Sequence, residues 1–446
     1  MTEKTSILSK IKQKSFSTTG IIVIVVMAGF ITTFQFMDPA PSRNLTIATG
    51  GEKGAYFSFA KEYKKILEQK GIALKIINTK GSVENVSLLE AKKPVDLAFV
   101  QGGITGKTNS LTSLGSMYFE PLWVFYKSDQ TITRVTQLKG KRIAYGADGS
   151  GTQALAKVIL GQNKISAENA KATKDNTVFL NITGEKAVAE MAAGKVDVMF
   201  MVASPDSVLV KKLLSSKELK VMSFTRATAY TRLFPYLKVI TLPEGSVDFS
   251  NNVPSASVTL LATTANLVAR KGLHPALVSL ILEASVKVHE KHGLFSARGQ
   301  FPTPKLVGMP LNTNAHRFYK HGVPFLQRYL PFWLATLLDR LKIMLLPLIG
   351  LLLPLVKMMP PLYRWRIRKR IYSWYAELRT VDPEVKKIPA EDVGSYLEKL
   401  EDMEEEVTRV EVPLSYTDEV YNLRLHIDMV RNELIKYRDS GSTRSD

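Results

Sequence analysis

Between Asn44 and about Leu330, short apolar runs alternate with segments whose apolar residues recur at helical spacing. Leu45-Thr46-Ile47-Ala48-Thr49 reads as a buried strand. Gly50, Gly51 and Gly54 follow as a loop. Tyr56 to Gln69 then carries Tyr56, Phe59, Ala60, Tyr63, Ile66 and Leu67 on one helical face. Further strands are predicted at Leu74–Thr79, Val95–Val100, Pro121–Tyr126, Lys141–Tyr145 and Val196–Val202, with a strand and loop over Val258–Ala269. Helices are predicted from Val83, over Thr152–Leu160 and over Leu277–His289. Strands alternating with helices argue an α/β domain with largely parallel sheets. Two strands are alike, VDLAFV and VDVMFMV. Each follows a helix and carries an aspartate, Asp96 or Asp197, as its second residue. The repetition predicts two similar lobes.

The flanks follow a different pattern. Residues 1–14 are polar and basic, and 15–37 carry no charge around an apolar centre at Ile21–Phe34. Crossing a bilayer takes about 20 residues, so 15–37 is expected to be a transmembrane signal anchor, with a cleaved signal peptide as the alternative. The lysines before it place the N-terminus in the cytoplasm. A second apolar stretch, 343–363, is expected to span as well, with Lys357 snorkelling; a helix lying in the interface is the alternative. Arg364, Arg366, Arg368, Lys369 and Arg370 follow directly and place this end in the cytoplasm too. The main domain, 44–330, would then face the periplasm from the inner membrane. Residues 364–446 are expected to form a cytoplasmic helical region.

Composition narrows the chemistry. The 446 residues, 45% hydrophobic and 23% charged, are those of a folded protein. The absence of cysteine removes disulfides, Cys-based zinc sites and thiol catalysis. The net charge of +19 raises nucleic acid as a partner. The clearest basic clusters flank apolar segments, however, which points to membrane orientation, and no nucleic-acid partner is expected.

Three glycine-bearing loops lie between a strand and a helix: Gly54-Ala55-Tyr56, Gly81-Ser82-Val83-Glu84-Asn85 and Gly149-Ser150-Gly151-Thr152. Unpaired N–H groups at helix starts make seats for negatively charged groups. Plain capping, with Ser82 as an N-cap, is the alternative for each. Helix ends contribute about 0.3–1 kcal/mol apiece, and micromolar affinity needs about 8 kcal/mol. Side chains must supply the rest, and Tyr56, Gln101, Tyr118, Trp123 and Arg226 are the candidates, Arg226 as a bidentate partner for a carboxylate. Other motifs fail. Gly106-Lys107-Thr108 lacks the first glycine of a P-loop. Gly149-x-Gly151-x-x-Ala154 is a relaxed dinucleotide pattern. His289 and His292 stand three apart, unlike the zinc-protease motif. No catalytic constellation, metal site or cofactor is expected.

The segments ATGGEKGAYFSFA, TKGSVENVSLL, VDLAFVQGG, SLGSMYFEPLWVFY, LKGKRIAYGADGSGTQALA and KVDVMFMV occur in this order. They resemble the TAXI solute-binding subunits of TRAP transporters. TPKLVGMPLNTNAHRFYKHGVPFLQRYLPFW, an apolar segment and PPLYRWRIRKRIYSWY resemble that family's membrane-anchored branch. The resemblance implies a two-lobed periplasmic binding protein of type II-like fold that closes about a hinge. Lobe 1 would hold 44–127 and 225–330, and lobe 2 would hold 128–224. It implies a small organic anion as ligand (a dicarboxylate, 2-oxo acid or glutamate-like acid) and a TRAP transporter membrane subunit as partner. It carries ligand contacts to Gly54, Tyr56, Ser82, Asn85, Gln101, Ser150 and Thr152, with Tyr118 and Glu120 beside them. Glu52 and Lys53 depart from the Gly-Thr-rich first loop of many members, and Ala55 removes a hydroxyl.

Two other readings use the same residues. A membrane-tethered sensor would signal through 371–446. A dinucleotide-dependent enzyme would bind NAD with its α/β domain in the cytoplasm, and both expected anchors oppose it.

Overall fold

The structure, a computed structural model of the chain, describes residues 39–91, 95–107, 109–173, 176–381, 389, 392–409 and 416–442, together with 24, 27–32, 34 and 35. The chain divides into two compact units, 38–339 and a second one formed by 1–37 with 340–446.

The larger unit is built on one ten-stranded sheet. Its first half contains β1 (Asn44–Ala48), α1 (Ala55–Glu68), β2 (Ala73–Ile77), α2 (Ser82–Glu90), β3 (Leu97–Gln101) and β4 (Leu111–Tyr126). Next come β5 (Arg142–Ala144), α3 (Gly151–Gln162), α4 (Ala167–Thr173), β6 (Val178–Leu180), α5 (Gly184–Ala192) and β7 (Val198–Val202). The remainder is α6 (Val208–Leu214), β8 (Lys220–Val221), α7 (Ala227–Leu233), β9 (Lys238–Leu242), β10 (Val258–Arg270), α8 (Pro275–His289), α9 (Thr313–His321) and α10 (Phe325–Tyr329).

The sheet order β2-β1-β3-β10-β4-β7-β5-β6 contains the same parallel triplet twice, β2-β1-β3 and β6-β5-β7. The two aspartates do the same work in each. Asp96 accepts the Thr46 N–H at 2.8 Å and returns its own N–H to the Thr46 carbonyl at 2.9 Å. Asp197 accepts the Arg142 N–H at 2.7 Å and returns its N–H to the Arg142 carbonyl at 2.9 Å. Each clamps the entry of the third strand to the first. Asp197 also holds the Arg142 guanidinium at 2.6 Å, and the hydrogen bond from Arg142 pulls its carboxyl below the usual range. A hydrogen bond to a charged group contributes about 1.5–3 kcal/mol. Asp96→Ala and Asp197→Ala are each expected to lower stability by about 2 kcal/mol in denaturant unfolding, each loosening its own triplet.

Strands β4 and β10 join the halves. The last part of β10 pairs β3 on one side and the first part of β4 on the other, and the other ends of β4 and β10 pair β7 and β9. Each lobe has its own core. Leu45, Ile47, Tyr63, Phe99, Leu267 and Ile281 pack the first. Leu122, Val124, Ile143, Ile159, Phe200 and Leu261 pack one side of the second, and Trp123, Phe125, Met199 and Leu260 pack the other. The crossover lies at Phe119–Leu122 against Leu261–Thr264. Residues 122–126, Ala227 to Leu242 and 258–262 therefore pack with the second lobe, beyond the divisions at 127/128 and 224/225 that the resemblance implied. The segment expected to turn from strand to loop in 258–269 is one continuous strand.

The smaller unit contains α11 (Phe332–Val381), whose first turns belong to the larger unit, α12 (Val393–Thr408) and α13 (Thr417–Ser442). Ile371, Trp374, Leu378, Leu400, Leu423 and Ile427 share one core. Among the described residues no helix is long and apolar enough to cross a membrane. The expected span 15–37 falls mostly outside the described residues. The expected span 343–363 falls inside α11, which continues as one helix into charged residues on both sides and is not set apart as a membrane segment.

Candidate functional site

The strands β1, β2 and β5 each end in a loop that feeds a helix start, so α1, α2 and α3 begin at the carboxyl edge of the sheet, where α/β proteins bind ligands. Gly54 caps α1, and Ala55 opens it. Gly81, at φ +128, caps α2, so Ser82 is the first helical residue and not the expected N-cap. Only glycine adopts that backbone without strain. Ser82 Oγ instead accepts the Gln101 N–H at 3.0 Å. Ser150 does cap α3, accepting the Gln153 N–H at 3.2 Å.

The lobes meet at these helix starts. A Cβ added to Gly81 would lie 3.4 Å from the Ser150 Cα and 3.6 Å from the Gly151 N. A Cβ added to Gly151 would run into the Gln101 side chain, 3.0 Å from its Cδ. Lys53 in the first loop reaches Glu185 at the start of α5 at 3.0 Å. That pair is largely exposed, so it contributes at most about 1 kcal/mol. Gly151→Ala is expected to push the lobes apart at Gln101. The outcome to measure is a wider mean separation between the lobes by small-angle scattering of the full chain.

Beside this contact lies a buried polar cluster. Tyr56 OH donates to Glu120 Oε2 at 3.0 Å and lies 3.4 Å from Ser82 Oγ. Tyr118 OH donates to Glu120 Oε1 at 3.4 Å. The Tyr56 ring stacks on Phe99 at 5.1 Å, and Tyr118 stacks on His289 at 5.8 Å. Burial pushes the Glu120 carboxyl up to about 7 against the pull of the two phenols. Burial, helped by the Glu120 charge, pushes both tyrosines well above their usual range. His289 is bonded to Tyr63 OH at 2.8 Å, and burial lowers it to about 3, so it is neutral.

Of the sequence-predicted residues, Tyr56, Ser82, Tyr118 and Glu120 come together in this cluster. Gln101, Ser150 and Gly151 line the adjoining contact between lobes. Thr152 Oγ1 accepts the Val202 N–H at 3.2 Å, tying α3 to the end of β7. Asn85 is a brace: its amide donates to the Thr49 and Phe99 carbonyls, and its oxygen accepts Thr79 Oγ1 at 2.6 Å. Those bonds use the amide within the scaffold. Trp123 is buried in the second lobe and donates to the Ala203 carbonyl at 2.9 Å. Arg226 is exposed at the start of α7, and among the described residues no hydrogen bond or ion pair joins it to the cluster. Sequence reasoning missed two neighbours. Thr263 stands directly opposite Glu120 in the β4/β10 ladder, and its only sequence signal is the Thr263-Thr264 pair inside an apolar run. His289 was weighed only as a metal ligand; among the described residues no group of potential ligands could hold a metal.

The architecture is a two-lobed α/β fold like that of binding proteins. Solved structures of that kind are similar to it at low identity. The substrate binding protein of an amino acid ABC transporter shares 16% identity over 55% of this chain and 92% of that one, with a TM-score of 0.35. An ancestral arginine-binding protein bound to arginine shares 13% over 55% and 92%, at 0.36. The periplasmic aliphatic sulphonate binding protein SsuA from Escherichia coli shares 14% over 56% and 73%, at 0.35. A family model described as the NMT1-like family matches residues 47–321. That match takes in both lobes and every residue of the cluster, and the chain belongs to the NMT1-like family.

Proposed function

We propose that this protein is a membrane-anchored solute-binding subunit. Its two lobes close on a small organic acid, a dicarboxylate, 2-oxo acid or glutamate-like molecule, and deliver it to a TRAP-type secondary transporter. The observation that carries this reading is the meeting of α2 and α3, one from each lobe, start to start. Each helix start bears about half a positive charge. Two such ends in contact repel, and an anion seated beside both offsets the repulsion. The order of the TAXI-like segments supports the finer assignment to that branch of solute receptors.

The anchoring part of this reading draws on the sequence, where the apolar stretch 343–363 precedes the basic run that begins at Arg364; Leu345, Ile349, Leu353, Val356 and Met359 are exposed along α11. In this reading the lobes face the periplasm and both termini the cytoplasm. Tethering holds the receptor beside its transporter at high effective concentration. A tethered sensor is the second reading. The separate core of α11, α12 and α13 favours it, because a folded tail can take a partner. Co-purification of a signalling partner lost on deletion of 393–442 would support the sensor.

Thermal melting of the full chain against small organic acids, amino acids and NAD tests the receptor reading. A ligand at a hundredfold excess over its dissociation constant stabilises by about 2.7 kcal/mol. A rise with one carboxylate, lost in Ser82→Ala, is the expected result. A rise with NAD alone, or none with any solute, would contradict it.

A further inference from the structure

Glu120 is out of place in a site for a simple anion. It is 6% exposed and lies between two tyrosines at the hinge. Among the described residues no lysine or arginine is paired with it. A buried carboxylate without a cation is strongly disfavoured. Two hydrogen bonds favour the ionised form against that cost. Tyr56 and Tyr118 each donate to one oxygen, leaving lone pairs on both.

A second observation points the same way. Thr263 is fully buried, and its Oγ1 has no hydrogen-bond partner. Directly opposite residues of an antiparallel pair project from the same face, with Cβ atoms about 4.5–5.5 Å apart. The orphaned hydroxyl of Thr263 and the Glu120 carboxylate therefore share one face at the hinge.

We infer that Glu120 and Thr263, flanked by Tyr56 and Tyr118, form a subsite for a positively charged nitrogen on the ligand. An ammonium group has three N–H donors. The free lone pairs of Glu120 take one or two, and Thr263 Oγ1 takes another. The inference rests on the receptor reading and narrows it. The solute carries a carboxylate for the helix starts and a protonated nitrogen for the hinge. Dicarboxylates and 2-oxo acids lack the nitrogen and would bring a carbonyl or second carboxylate up to Glu120.

The titratable groups facing Glu120 are Tyr56 from α1 and Tyr118 from its own strand, with His289 of α8 behind Tyr118. Burial holds both tyrosines and His289 neutral between pH 5 and 8. Glu120, raised to about 7 by burial, is the group of this set that titrates there. A cationic nitrogen needs it ionised, so affinity is expected to rise about tenfold from pH 6 to pH 8.

The test is calorimetric titration of the full chain with matched pairs that differ at the nitrogen: L-glutamate against 2-oxoglutarate, and L-alanine against pyruvate. The expected result is an amino member at least tenfold tighter than its oxo partner, tightening with pH and weakened at least tenfold by Glu120→Gln. If that variant does not fold, the pH dependence of the wild-type chain decides. An oxo acid that binds as tightly as its amino partner, or an affinity that falls with pH, overturns the subsite and leaves the receptor reading standing. No binding by any member counts against both.

Discussion

Between pH 6.5 and 7.5 the unliganded chain is expected to lose stability as pH rises, and Glu120→Gln is expected to remove that loss. The folded chain holds the Glu120 proton up to about pH 7, against an ordinary 4.5. Over that interval the folded state binds more protons than the unfolded one, so stability falls with rising pH. The contribution is complete below 4.5 and gone above 7. Its full size is on the order of 3 kcal/mol. His289 works in the opposite direction. Its folded value of about 3 lies below the ordinary 6.5. The unfolded chain takes up its proton first, so stability is full above 6.5 and falls as pH drops toward 3. The slopes oppose one another between 4.5 and 6.5, and only Glu120 acts above that. Thermal unfolding of wild type, Glu120→Gln and His289→Gln from pH 4 to 8 separates them. A decline above pH 6.5 that persists in Glu120→Gln would place its source elsewhere.

Gly115→Ala is expected to destabilise the chain by more than 3 kcal/mol. Gly115 sits in β4 at φ +137, a conformation that costs other residues about 1–3 kcal/mol. An added Cβ would also drive into the Tyr319 hydroxyl and lie 2.9 Å from the Thr303 carbonyl. Neither neighbour has room to yield. Tyr319 donates to the Leu114 carbonyl at 3.0 Å, and Thr303 is paired with Ser116 in both directions. Register shifts in the β4/β10 ladder flank the position. Denaturant unfolding of Gly115→Ala beside Gly140→Ala checks this. Gly140 also has positive φ but open space around its Cβ, so it should cost only the backbone strain.

Much of this was legible in the sequence, for physical reasons. Strands β3 and β7 are short, nearly continuous apolar runs, as strands buried on both faces are. The glycine loops marked the helix starts because glycine is needed where the chain turns sharply, as at Gly81. The paired aspartates announced the repeated triplet, although their role as strand clamps appeared only with the register. The long crossing strands were harder to read. In β10, Thr263-Thr264-Ala265-Asn266 looks like a polar break. Yet Thr264 Oγ1 donates to the Leu306 carbonyl at 3.0 Å, and the Asn266 amide donates to the Thr264 carbonyl at 3.1 Å. Leu306 and Ser116, whose Oγ donates to Asn266 Oδ1 at 3.2 Å, are distant in sequence, and periodicity does not carry such information. The same limit hid the position of Arg226 and the use of Asn85 as a brace.

Closure of the two lobes around a solute is the central claim, and a distance between lobes tests it most directly. The chain has no cysteine, so two introduced thiols give clean labels. Lys65→Cys on α1 and Lys186→Cys on α5 are exposed, one on each lobe. Spin-label distances in the full chain are expected to be broad or long without solute and to shorten to one narrow population with a stabilising amino or organic acid. A distribution unchanged at saturating solute would contradict the account.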